Sequence, residues 1–321
     1  MRLHHANAAL LRRIQLSKAK VRTLRSVEIG VTDVAQSLRF FTDVWYLAPV
    51  GEIAGVHYLR GTGPFHHIFT IRRAAKRELI RMVFDAADRE TVDALHHQVV
   101  AYGLKTVDLP ASLRQPHGEY GFGFKDPEGR NVAIVCGVHD RASAADKPDY
   151  PRKISHININ AGDSDATLAF YRDALGFRLT DTTKRLRFLS CSPDHHTVVL
   201  GFSGGPTLNH IAFEVPDFDS VMRGAGRMRD DGRPIEWGPG RHGPGNNVFC
   251  YFLGPEDMPV ELMAEMQQID DNYIAKTAEH WTWLPGRLDQ WGIVAGPSER
   301  IENAGLSILF TADGYRLDEW R

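Results

Sequence analysis

Short runs with a two-residue alternation of apolar and polar positions dominate the second half of the chain. In Ile154-Ser155-His156-Ile157-Asn158-Ile159-Asn160 the alternation puts Ile157 and Ile159 on one face and His156 with Asn158 on the other. The run Asn209-His210-Ile211-Ala212-Phe213-Glu214-Val215 sets His210 opposite Ile211, Phe213 and Val215. Val260-Glu261-Leu262-Met263 holds one acid inside an apolar run. Between these strands the spacing predicts helices. Asp163, Ser164 and Asp165 offer N-caps, Leu168, Tyr171 and Leu175 recur at helical intervals, and Gly176 supplies a stop. Further helices are expected within 87–103 and 217–231.

The pattern occurs twice. Val27-Glu28-Ile29-Gly30-Val31 followed by Ser37–Asp43 parallels Ser155-His156-Ile157-Asn158 followed by Thr167–Asp173. His66-His67-Ile68 parallels His195-His196-Thr197, Leu79–Asp85 parallels Leu208–Glu214, and Asp126-Pro127-Glu128-Gly129 parallels Gly254-Pro255-Glu256-Asp257. The offset stays near 129 residues, which marks a duplication. Each half reads as strand, helix, then several strands. The expected organisation is an N-terminal extension at 1–20, a first half at 21–141, a linker at 142–152, a second half at 153–269 and a tail at 270–321. The first 27 residues hold seven basic residues and no acid, a composition shared by transit peptides and by solvated, partly helical extensions; the latter is the expectation here. The tail carries Trp281, Trp283, Trp291 and Trp320, which are expected to pack on their own domain or on a neighbouring subunit.

Composition narrows the function. The 321 residues include 38 basic and 40 acidic ones, so no electrostatic footprint argues for nucleic acid. No apolar stretch approaches the length of a membrane span. Cys136, Cys191 and Cys250 are odd in number and lack CxxC spacing, which favours free thiols in a reducing compartment, the cytoplasm.

His156, His210 and Glu261 together form the ligand complement of a mononuclear non-haem iron site with open coordination positions. Taken singly, each could be a buried polar group that has found a partner. As a set within one repeat, they point to metal. Fe(II) is the expected ion, Mn(II) is the alternative, and zinc is disfavoured because an open site with this ligand set suits redox metals.

These residues resemble the type I extradiol ring-cleaving dioxygenases of the vicinal oxygen chelate superfamily, the family of catechol 2,3-dioxygenase and 2,3-dihydroxybiphenyl 1,2-dioxygenase. The resemblance covers roughly residues 21–270 and is most specific over Gly240-Arg241-His242, Tyr251, Gly254-Pro255-Glu256 and Glu261. It departs from the family pattern at Cys250, Gly254 and Asp257, which concern the subfamily rather than the ligands. The resemblance implies an α+β fold of duplicated βαβββ modules, a catecholic substrate with O₂ as co-substrate, aromatic-compound catabolism and a homo-oligomer. It also implies that His196 is the acid–base residue, with His195 in support, and that His242 and Tyr251 donate to substrate oxygens. Phe188, Phe202, Phe249 and Trp237 are candidates to line the pocket. The first half carries Glu28, Arg81 and Ala133 where His156, His210 and Glu261 are matched, and is expected to bind no metal. The competing expectations are a glyoxalase-like or 4-hydroxyphenylpyruvate dioxygenase-like enzyme of the same superfamily, or a metal-free binding module.

Overall fold

A computed structural model describes residues 18–105, 107–113, 118–137, 147–202 and 204–312. Residues 1–17 of the expected 1–20 extension, part of the linker and the last nine residues of the tail, with Trp320, lie outside the described residues.

The first half runs β1 (Thr23–Val31), α1 (Val34–Arg39), β2 (Ala48–Ile53), β3 (Val56–Arg60), β4 (Phe69–Arg73), β5 (Glu78–Asp85), α2 (Arg89–Ala101), β6 (Ala111–Ser112), β7 (Tyr120–Lys125) and β8 (Asn131–Cys136). The second runs β9 (Lys153–Asn160), α3 (Ser164–Leu175), β10 (Arg178–Thr182), β11 (Leu186–Ser190), β12 (Val198–Gly201), β13 (Thr207–Glu214), α4 (Phe218–Asp230), β14 (Trp237–Arg241), β15 (Val248–Leu253) and β16 (Pro259–Ala264). A short helix, α5 (Glu299–Gly305), lies in the tail. The two eight-stranded sheets have matching orders, β2-β3-β4-β1-β5-β8-β7-β6 and β10-β11-β12-β9-β13-β16-β15-β14. Each sheet joins two βαβββ modules, so this is the duplicated α+β fold. No helix among the described residues is long and apolar enough to cross a membrane.

Local sequence explains the helices. Asp163 caps α3 by accepting from the Ala166 amide, and Gly176 ends it in the left-handed region at φ 77°. Asp88 and Asp217 cap α2 and α4 in the same way. The first half lacks a glycine stop after α1, and a π-helical turn over Phe40–Val44 takes its place.

Each central strand buries one face in a core common to both halves. Ile157, Ile211, Phe213, Val260 and Leu262 of the second sheet join Val27, Ile29, Phe69 and Phe84 of the first in one continuous apolar cluster. Trp45 packs edge-on against Phe213 and Phe252, and Phe84 against Tyr171 and Phe177, so each half shields the back of the other. Polar ties cross the same boundary. Thr62 and Gly63 donate to the Pro151 and Arg152 carbonyls, and a side chain at Gly61 would strike the Arg152 carbonyl at 2.5 Å. The tail bridges both sheets, with Ile308 beside Leu208 and Phe310 beside Leu79.

Strand register corrects one element of the repeat alignment. In the second sheet His156 stands across from Ala212, and Ala212 from Glu261. In the first sheet the equivalent row is Ser26, Val83 and Ala133. The residue in the place of His156 is therefore Ser26, not Glu28. Glu28 stands across from Arg81, as Asn158 stands across from His210, and it pairs with Arg72 at 2.7 Å. A slip of two residues leaves the same face pointing the same way, so alternation alone could not detect it. Arg81 and Ala133 hold the places expected of them.

The fold yields a stability prediction. Fully buried Arg130 donates to Asp126 Oδ2 at 2.8 Å and to the Asn160 carbonyl of the second half at 3.1 Å, and it also meets Glu128. Arg130→Met would leave the buried Asp126 carboxylate without its cation. Urea unfolding should show a loss of about 3–5 kcal/mol, as expected when one partner of a buried ion pair is removed.

Candidate metal centre

The face of the second sheet turned away from the common core carries the candidate site. His156 on β9, Ala212 on β13, Glu261 on β16, Tyr251 on β15 and Trp237 on β14 form a single row across five strands, each directly opposite the next. His210 lies two residues before Ala212 and so on the same face. Registration thus brings together three residues of which the outermost, His156 and Glu261, lie more than a hundred positions apart in the chain.

Their donor atoms form a nearly equilateral triangle. His156 Nε2 and His210 Nε2 are 3.2 Å apart, and they lie 3.3 and 3.2 Å from Glu261 Oε2. All three residues are buried, Glu261 completely. Asn209 Oδ1 accepts from His210 Nδ1 at 2.8 Å, which leaves a lone pair on His210 Nε2. Neither oxygen of Glu261 makes a hydrogen bond among the described residues, despite these close approaches. Buried lone pairs that converge without shared protons are costly unless a cation sits among them. Ligand atoms about 2.1 Å from an octahedral cation are roughly 3 Å apart along one face of the octahedron, close to the edges seen here. The residues fit a divalent metal. One face of an octahedron also leaves three positions open, as in the two-histidine, one-carboxylate sites of non-haem iron.

Burial tunes the surrounding groups. Desolvation, aided by the nearby His156 and His195, holds His196 well below the usual histidine range, so it is neutral at neutral pH. Its ring lies 4.4 Å from that of His156 and 5.1 Å from that of Phe188. Desolvation and the Glu261 charge push the Tyr251 phenol well above its ordinary value, so its proton stays on. Tyr251 Oη and His242 Nε2 are 3.1 Å apart, and His242 stacks on Phe249 with ring centres 3.9 Å apart. Trp237 stacks on Tyr251. The structure therefore gathers His156, His210, Glu261, His196, His242 and Tyr251, with Phe188, Phe249 and Trp237 against them. Phe202 does not join them. It is partly exposed at the surface beneath Arg187, so its expected place in the lining is withdrawn.

Three further residues matter that sequence reading passed over. Ala212 lies between His156 and Glu261 in the row, and a longer side chain there would project into the triangle. Gly243 lets Trp281 and Trp283 of the tail close over the loop after β14: an added Cβ would meet Trp283 at 2.6 Å and Trp281 at 2.8 Å. Gly245, at φ 79°, brings the same loop against His196, where an added Cβ would meet Cε1 at 2.8 Å. The only sequence signal was a turn rich in Gly, Pro and Asn. Gln290 braces this loop by donating to the His242 carbonyl and to Asn246 Oδ1.

Comparison with known proteins agrees with this geometry. The profile of the Glyoxalase/Bleomycin resistance protein/Dioxygenase superfamily matches residues 153–262. Metapyrocatechase 2 of Cupriavidus necator is 36% identical over 54% of this chain, and the match spans 61% of that protein's length. Biphenyl-2,3-diol 1,2-dioxygenase of Metapseudomonas furukawaii is 25% identical over 79% of this chain and 89% of its own. The crystal structure of a Mn(II)-bound glyoxalase from Novosphingobium aromaticivorans superposes with a TM-score of 0.82 at 35% identity, covering 88% of this chain and 94% of that one. The chain belongs to the glyoxalase/bleomycin resistance protein/dioxygenase superfamily and is a relative of its extradiol dioxygenases.

Proposed function

We propose that the protein is an extradiol dioxygenase that opens a catecholic ring beside its two hydroxyl-bearing carbons, with Fe(II) held by His156, His210 and Glu261. One observation carries this reading: the triangle of buried donor atoms shares its face with a neutral histidine, His196, and with the His242–Tyr251 pair. Fe(II) bound there would supply redox chemistry and open positions that a bidentate catecholate and O₂ can share. The remaining work falls to the chain. Glu261 and the two neutral imidazoles leave a net charge of about +1, which a singly deprotonated catechol offsets. His196 is positioned as the base that takes the catechol proton and later returns it. With His242 Nε2–H donating to the Tyr251 oxygen across 3.1 Å, the phenol proton is left to donate to a substrate oxygen whose charge grows during the reaction. Trp281 and Trp283 pack against Gly243 in the loop that bears His242.

In this reading residues 153–269 form the catalytic half and 21–141 the scaffold half. Cys136, Cys191 and Cys250 are buried free thiols, which suits the cytoplasm. Ile274, Leu284 and Ile293 of the tail are 84%, 67% and 73% exposed, which suits contact with a second copy in a homo-oligomer.

The direct test is reaction of the Fe(II)-reconstituted protein with catechol, 3-methylcatechol and 2,3-dihydroxybiphenyl under ¹⁸O₂. A yellow ring-opened product carrying both labelled atoms is expected. An intradiol product, or turnover of a glyoxalase substrate without O₂ uptake, would overturn the proposal. His196→Phe should keep the fold and the iron while lowering kcat by about 10²–10⁴-fold, the usual worth of a positioned acid–base group; unchanged turnover would make the imidazole structural. Elemental analysis should find one iron per chain, because Ser26, Arg81 and Ala133 cannot form a second site. Ala212→Leu should abolish that iron while leaving circular dichroism unchanged, and iron retained at full occupancy would refute the role given to Ala212.

A further inference from the structure

A buried polar chain leads from His196 to the tail, and neither metal binding nor substrate contact accounts for it. His196 Nδ1 lies 3.0 Å from His195 Nδ1. His195 is fully buried, with Nε2 3.1 Å from Asp181 Oδ2 and 3.2 Å from the Tyr273 hydroxyl. Asp181, fully buried on β10, accepts at Oδ1 from the Tyr273 hydroxyl and from the Lys276 amide, both at 2.9 Å.

Proton counting then assigns each ring. An ionised carboxylate can only accept, and the single hydroxyl proton of Tyr273 is already committed to Asp181. The Tyr273 oxygen, hydrogen-bonded to His195 Nε2 at 3.2 Å, is therefore the acceptor and Nε2 carries the proton; Asp181 Oδ2 stands 3.1 Å from that nitrogen without completing a hydrogen bond among the described residues. In the neutral ring Nδ1 is then a lone pair, and His196 Nδ1–H donates to it. His196 Nε2 is left bare, the form that a base requires.

The duplicated half supplies a control. His66 and His67 repeat the pair, with their Nδ1 atoms 3.2 Å apart. At the place of Asp181, however, the first half has Gly51. Each residue follows the same register shift, Gly51 standing opposite Tyr58 and Asp181 opposite Phe188. Tyr273 and Lys276 belong to the tail, which follows the second half alone. The adjacent-histidine pair thus forms without this carboxylate, and the carboxylate is present beside the half that carries the metal ligands.

We propose that Asp181 and Tyr273, acting through His195, are positioning residues that fix the tautomer and ring orientation of His196. The consequence for turnover rests on the role given to His196 above; the tautomer itself does not.

Asp181→Asn provides a shape-preserving test. The Lys276 amide needs an acceptor, so the asparagine should turn its oxygen there and its NH₂ toward His195. His195 Nε2 would then accept, His195 Nδ1–H would donate to His196, and His196 Nε2 would become protonated. ¹⁵N-histidine NMR of the full-length chain loaded with diamagnetic Zn(II) reads these states directly. The expected result is a bare His196 Nε2 in the native protein and a protonated one in Asp181→Asn. In the iron-loaded variant kcat should fall about 10²-fold or more, with iron content and KM changed by less than about threefold. A protonated His196 Nε2 in the native protein, or unchanged tautomers in Asp181→Asn, would overturn the proposal. If Asp181→Asn does not fold, the native spectrum decides alone. Reversed tautomers in a protein whose native form cleaves no catechol would uphold the relay and remove the dioxygenase reading instead.

Discussion

Glu261 is a carboxylate with no exposure, set among imidazole nitrogens, and among the described residues neither of its oxygens completes a hydrogen bond. An ionised group in that position costs several kcal/mol unless opposite charge reaches it. The surrounding architecture can be understood as the means of holding that arrangement. β13 runs between β9 and β16, so the donor atoms of three strands meet above one small residue, Ala212. The opposite faces of the same strands lie in the core shared by the two halves. A ligand side chain could shift only by disturbing that packing, so the triangle is preorganised before any ion arrives.

The duplication divides the work between the halves. In the first sheet the same row reads Ser26, Val83, Ala133, and Arg81 stands in place of His210. That row holds no imidazole or carboxylate, yet the strand order and the packed face match those of the second half. Trp45 and Phe84 cover the back of the second sheet and its helix as a partner domain would. The first half thus shares the packed face of the second without its two histidines and glutamate. The tail adds what neither repeat contains. It braces the loop that bears His242, places two tryptophans over Gly243, brings Tyr273 to Asp181, and ties β5 to β13.

Alternation within single strands was enough to place His156, His210 and Glu261 on faces opposite their apolar neighbours, because side chains in a strand repeat every two residues whatever the partner. Capping chemistry likewise showed where α3 begins and ends, since Asp163 and Gly176 act within one turn of the chain. The repeat revealed two similar halves, and the family resemblance implied the fold class. These features depend on neighbours close in sequence, and a linear reading can reach them.

Register, distance and proton placement belong to the tertiary structure. A slip of two residues keeps every face unchanged, so only the hydrogen-bonded ladder shows that Ser26 and not Glu28 stands in the place of His156. Ala212 is an ordinary small strand residue until pairing sets it between two proposed ligands. His195 belongs to the repeated histidine pair, but Asp181 and Tyr273 carry no motif, because their meeting with it depends on a bulged edge strand and on a tail that lacks a regular period. Phe202 has the composition of a pocket residue but ends at the surface, since composition says nothing about which side of the last β12 turn faces water. Local periodicity determined what each strand could present; long-range pairing decided which of those groups would meet.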